Sequence, residues 1–150
     1  MTVIMTSYRK EAMLQIRSGA RQRLEEAANA IRNAVLVTLT GERSGRQYFV
    51  PGTRKPYFAS SPGDAPASAT GMLRQNVHTS IDRSGLMAMV GIPEKSRRKA
   101  IIGKANIGAS MEYGVHLEYG TSRMKARPWL RPSFEKSLAQ IKEILGRPWV

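Results

Sequence analysis

The residues from Tyr113 to Pro132 restrict the possible folds of this chain more than any other stretch. Pro128 and Pro132 bracket Trp129 and Leu130. Each proline favours an extended residue before it, and the second can open a helix. Upstream, Val115, Leu117 and Tyr119 alternate with His116, Glu118 and Gly120, which is the period of a half-buried strand. Gly120 ends that alternation where a turn needs positive φ or a close backbone approach. The expectation is a strand, a glycine turn, an aromatic anchor and a helix start. That is a structural corner rather than a catalytic centre.

With 150 residues, the chain is read as one domain over 1–150, long enough to bury a core. No apolar run reaches membrane-spanning length, so no membrane partner is expected. Met1–Met5 lacks the basic flank and apolar stretch of a signal peptide. The absence of cysteine excludes disulfides and thiolate metal sites. Lys and Arg number 24 against 11 Asp and Glu, a net charge of +13, which raises the prospect of polyanionic partners, nucleic acid above all. The charges are spread along the chain, however. The one dense run, Lys95-Ser96-Arg97-Arg98-Lys99, reads first as a solvated loop and second as a phosphate-binding patch.

Met13, Ile16, Ala20, Leu24, Ala27, Ile31, Val35 and Leu39 step by three and four, one stripe on a long amphipathic helix. Thr6 or Ser7 can cap its start, and Gly41 lies past its end. Roughly thirty helical residues span about 45 Å. Either the helix bends near Ser18-Gly19 or part of its stripe packs on a neighbouring subunit. Arg9, Arg17, Arg21, Arg23 and Arg32 read as its solvated face. Residues 42–69 form an extended arm, with Gln47–Val50 and Tyr57–Ala59 as hairpin strands around Pro51-Gly52. The glycines of this arm do not match a P-loop or dinucleotide fingerprint.

Val77, Thr79 and Ile81 alternate, Asp82–Gly85 turns, and Leu86–Gly91 reads as the returning strand. Ala100–Gly103 is a further short strand, and Ile107–Ala109 leads into the corner. Phe134, Leu138, Ile141 and Leu145 mark a C-terminal amphipathic helix, opened by Pro132 and Glu135 and stopped by Gly146 and Pro148. The fold class is α+β: a long N-terminal helix, an arm, a small antiparallel sheet and a C-terminal helix.

Catalytic signatures are thin. The sequence has no Gly-x-Ser-x-Gly elbow and no His-Glu-x-x-His. On a strand, His116 and Glu118 share a face, but the only other histidine is His78, and no third ligand is near in sequence. No catalytic residue, metal or cofactor is expected. Glu118, between Leu117 and Tyr119, stands either in water or partly buried. In the second case it needs a partner such as Arg123, Arg127 or Arg131, within the fold or across a subunit interface. Trp129 reads as a core or interface anchor before a base-stacking platform, and the pairs Tyr48-Phe49 and Tyr57-Phe58 as hairpin packing before base stacking.

Two ordered blocks carry a family resemblance. The first is Tyr113, then Glu118-Tyr119-Gly120-Thr121, then Ala126 and Pro128-Trp129-Leu130-Arg131-Pro132. The second is Ser60-Ser61-Pro62-Gly63-Asp64-Ala65-Pro66 followed by Thr70-Gly71-x-Leu73-Arg74. With a long first helix and a closing amphipathic helix, this order resembles the tail-completion, or head–tail joining, proteins of the neck of long-tailed bacteriophages. The segment from Glu94 to Asn106 is longer than that pattern has between the second strand and the tyrosine. The resemblance implies a non-enzymatic virion protein, made in the host bacterial cytoplasm, that forms a homo-oligomeric ring, six-fold, at the head–tail junction. Its implied partners are other neck, connector and tail proteins, with non-specific contact to packaged DNA. It further implies that the Glu-Gly-Thr corner and the Pro-Trp-Leu-Arg-Pro segment position the last helix. The arm would reach a neighbour through Tyr48, Phe49, Tyr57 and Phe58. The alternative, resting on charge alone, is a small basic DNA-binding or packaging accessory protein. A hydrolase using Glu112 or Glu118 ranks behind both.

Overall fold

The stripe of threes and fours folds as one helix, α1 (Arg9–Thr40), of 32 residues, about 48 Å long. It runs through Ser18-Gly19 without interruption. The structure, a computed structural model, describes residues 8–50, 52–68, 71–93, 99–102, 105–108 and 111–148. Thr6 and Ser7, the expected caps, lie outside that range. The residue at the cap position is Tyr8, which makes no side-chain capping bond. At the other end the Arg43 guanidinium donates to the Thr38 carbonyl, one of the carbonyls left open by the last turn.

The last helix, α4 (Leu130–Gly146), packs antiparallel to α1. Ser133 Oγ bonds Thr38 Oγ1 at one end, and Arg23 donates to the Arg147 and Pro148 carbonyls at the other. The residues α4 turns to its neighbours are Ser133, Ser137 and Ile144, with Ile141 beside them. The expected stripe is therefore displaced: Phe134 and Leu145 stand exposed. The reason is closeness of approach. α1 offers Ala27 and Ala30 to Ile144, and small side chains let two helix backbones come together. The two serine hydroxyls bury without loss because each bonds a carbonyl of its own helix, Ser133 to Trp129 and Ser137 to Phe134.

α1 outruns this packing. The α4 pairing reaches Arg23, and the turn carrying Gly85 lies against Arg21. Met13, Leu14 and Ile16, in the turns before them, are exposed. Neither bend nor core burial accounts for the first part of the stripe.

Of three two-stranded antiparallel sheets, one is the hairpin expected in the arm, and the other two stand where one small sheet was expected. β1 (Gln47–Phe49) pairs with β2 (Pro56–Phe58), placing Tyr48 opposite Tyr57. After the short helix α2 (Met72–Gln75), β3 (His78–Ile81) pairs with β4 (Ala88–Gly91), His78 opposite Gly91. β5 (Lys99–Ile102) pairs with β6 (Ala105–Gly108), so Ile107-Gly108 is a strand rather than a lead-in. Lys95–Arg98 of the basic run lie outside the described residues. Leu86 and Met87, expected in the returning strand, belong to the turn. Asp82 holds them there, its carboxylate accepting N–H bonds from Ser84, Leu86 and Met87.

The main correction concerns the corner. Residues expected to form a strand are a helix, α3 (Met111–Tyr119). Five alternating residues fit either period. Here the core takes Gly114 and Leu117, three apart, and leaves Val115 and Tyr119 exposed. Val35, Leu39, Val77, Leu117 and Trp129 form the main core, joined by Ile31, Ala65, Leu73 and Ile92. The fold is α+β.

The Asp82 turn has a pH signature. The Ser84 hydroxyl first, then the N–H groups of Met87, Ser84 and Leu86, bring its carboxyl from 3.8 to about 2. A depressed folded-state pKa contributes stability that is present above the unfolded value and lost as pH falls through the folded one. Asp82→Asn is expected to be less stable than the parent at about pH 6, with the gap closing between about pH 4 and 2. Urea unfolding across that range is the measurement. A gap independent of pH would mean that the carboxylate charge does not organise the turn.

Candidate functional site

The conspicuous site is a corner and the groove beside it, and both depend on Glu118. An α-helix begins with four N–H groups that have no partner inside it. For α4 the four positions are Trp129, Leu130, Arg131 and Pro132. Glu118 Oε2 accepts from the backbone N–H of Trp129 at 2.8 Å and of Leu130 at 2.9 Å, and Oε1 accepts from Arg131 at 2.9 Å. Pro132 has no N–H to satisfy. One carboxylate and one proline thus account for the whole helix start, and the negative charge sits where the helix dipole favours it. The expected guanidinium partner is corrected. Arg131 meets Glu118 through its main chain, while its side chain pairs with Glu135.

Gly120 terminates α3 in the left-handed region, φ 78. Its N–H returns to the His116 carbonyl, and the Arg127 N–H takes the next one, Leu117. Gly120 was expected to need positive φ, and it does so as a helix stop rather than a strand end. Thr121 and Met124 then exchange backbone bonds, while Thr121 Oγ1 accepts from the N–H groups of Arg123 and Met124. Trp129, 3% exposed, donates its ring N–H to the Gly114 carbonyl across the corner. Pro128 and Leu130 are half-buried.

The structure joins the two sequence blocks here. Gly63 donates its N–H to the Ala126 carbonyl, and the Arg127 guanidinium reaches the Ser60 carbonyl. Pro66 is buried and accepts from Arg43, while Leu73 packs on the main core and Gly71 precedes α2 with φ 72. Pro62 is exposed. Sequence reasoning missed the centre of this loop. Asp64 accepts from Ser44 and from the Ser61 N–H, which holds its carboxyl below the usual range. Burial lowers the Arg43 pKa, and Asp64 opposes that shift. A polar turn followed twenty residues later by a lone acid was the available signal. Of the span 42–69, the ends are therefore stitched to the body, and the exposed arm is the hairpin from Gln47 to Phe58.

On that hairpin Tyr48, Phe49 and Phe58 are exposed and Tyr57 half-buried. The Tyr48 and Tyr57 rings lie 6.1 Å apart. Tyr57 is also close enough to Tyr113 to affect its ionisation. Burial raises the Tyr113 hydroxyl most, Arg127 opposes, and Tyr57 adds to the rise. His116 and Glu118, two apart on a helix, point to different sides, and among the described residues no three His, Cys, Asp or Glu gather as metal ligands. Beyond Glu118 the corner opens into an apolar groove of about 630 Å³, walled by Ile31, Val90, Ile92, Val115, Trp129 and Phe134. Tyr119 stands at its edge.

Two predictions follow from this geometry. Glu118→Ala leaves three N–H groups at a half-buried helix start and is expected to cost about 1–3 kcal/mol in denaturant unfolding. Glu118→Gln keeps two acceptor lone pairs on one oxygen and should lose less; equal losses would separate capping from the role assigned to the carboxylate. Gly63→Ala and Gly120→Ala both place a side chain at positive φ, a cost of about 1–3 kcal/mol. The new Cβ has open space at Gly63 but lies 2.8 Å from Ala126 N and Met124 O at Gly120. Gly120→Ala should therefore be the lower-melting variant, and the reverse order would refute the tight packing of the corner.

Comparison with family models, with curated proteins and with solved structures gave no match for this chain.

Proposed function

We propose that this chain is a structural subunit of a ring at the head–tail junction of a long-tailed bacteriophage. There it acts as a tail-completion or neck protein, joins the tail to the head connector and surrounds the DNA channel. The observation that carries the reading is uncovered apolar surface on elements that leave the body. The free turns of α1 expose Met13, Leu14 and Ile16, and the arm exposes Phe49 and Phe58. Apolar side chains exposed together on projecting elements suit sites of association. The sequence resemblance adds the place of assembly. Glu118, Gly120, Thr121, Trp129 and Pro132, which carry that resemblance, each have a defined duty in stopping α3 or starting α4. A motif spent on orienting a helix suits a protein that works through its surfaces.

A second reading draws on the net charge of +13. It is a small basic protein that binds DNA without sequence preference or assists its packaging, through phosphate contacts that weaken steeply with salt. Native mass measurement with electron microscopy of the same sample separates the two. Closed rings, six-fold by expectation, support the neck subunit. A monomer at every concentration that shifts strongly on scrambled duplex DNA replaces it with the second reading.

A further inference from the structure

Each copy carries an apolar projection, the β1–β2 hairpin, and an apolar recess beside α3. In β1–β2, Phe49 is opposite Pro56 and Gln47 opposite Phe58. Side chains alternate across a strand, so Phe49 and Phe58 share one face of the hairpin while Tyr48 and Tyr57 share the other. On the tyrosine face Tyr57 is half-buried and Tyr48 exposed. The phenylalanine face is left outside, Phe49 62% and Phe58 53% exposed.

The groove lies along α3. Val115 and Tyr119 line it, and at 3.6 residues per turn Val115 points about 160° away from Tyr113. Arm and groove are separate patches of one copy, with no hairpin residue lining the groove. The two fit a head-to-tail contact, the kind that closes into a ring or continues as a filament. Size agrees: about 630 Å³ falls within the roughly 300–1,000 Å³ of recesses that enclose compact apolar groups.

Charge agrees along α3, while Arg131, which also lines the groove, is paired with Glu135. The chain from Gly45 to Gly63 holds Arg46, Arg54 and Lys55 and no acid. α3 holds Glu112 and Glu118 and no lysine or arginine, an exception in so basic a chain. Glu112, exposed, lies three residues before Val115 and seven before Tyr119, on the groove side of the helix. We propose that the Phe49–Phe58 face of one copy seats in the groove beside α3 of the next copy, with Arg54 and Lys55 against Glu112. This contact rests on the ring reading and names the surfaces that make it.

The chain has no cysteine of its own, so introduced thiols report only the designed contact. Phe58→Cys with Val115→Cys in one chain, oxidised and run without reductant, is expected to give a ladder beyond dimer that collapses on reduction. Each single variant stops at dimer. Arg54→Cys with Glu112→Cys repeats the test while keeping both phenylalanines, and circular dichroism confirms that the variants fold. In a parallel assay Glu112→Lys should lower the assembled fraction severalfold, and adding Lys55→Glu should recover it. Rings that form normally while neither pair cross-links beyond dimer would overturn the arm-in-groove contact and leave the ring standing. A fast-migrating monomer with an internal disulfide would overturn it by placing the arm in its own groove. A parent protein that never assembles would remove both readings.

Discussion

Everything at the working end of this molecule depends on where one carboxylate goes. Glu118 leaves the last turn of α3 and accepts the three backbone N–H groups that open α4. Because those groups have no partner within α4, the contact fixes the direction of a whole helix and not only a side chain. Trp129 reinforces it from the opposite strand of chain, its ring N–H on the Gly114 carbonyl. Two helices are thereby held at a turn of ten residues in a chain that has no cysteine to cross-link them. The groove is the space that this angle leaves open.

α1 gives the corner something to stand on. Ile31, Val35 and Leu39 supply the apolar surface under Leu117 and Trp129, while Ala27 and Ala30 accept Ile144 further back. Its remaining turns extend past the pairing with α4 and keep an apolar stripe that the fold does not cover. A helix of 32 residues is longer than this body uses. In the ring proposed above, that surplus length would serve as an association surface.

The loop from Ser60 to Ser68 has another role than its composition suggests. Its side chains are small, but Asp64, Pro66 and Ser60 are hydrogen-bonded to Ser44, Arg43 and Arg127. These bonds clamp the base of the hairpin and leave its tip exposed. In the ring proposed above, anchorage at the base would let the exposed Phe49 and Phe58 meet a neighbour at low ordering cost.

Much of this was legible in the chain itself. The step of three and four from Met13 to Leu39 determined α1, because seven successive spacings agree with one helical face. Pro132, Gly146 and Pro148 determined α4, and Gly120 marked a positive φ that the backbone does adopt. Tertiary structure decided the rest. Val115–Tyr119 alternates too briefly to distinguish strand from helix, and the choice fell to the core, which takes Gly114 and Leu117 three apart. Glu118 has arginines nearby in sequence, yet it bonds backbone N–H groups. The need of a helix start for acceptors depends on where that start lies in space, and no pairing of side-chain types in a sequence reveals it. The displaced face of α4 has a similar cause. Hydrophobicity alone favours Phe134, but the first turns of α4 bury Ser133 and Ser137 instead.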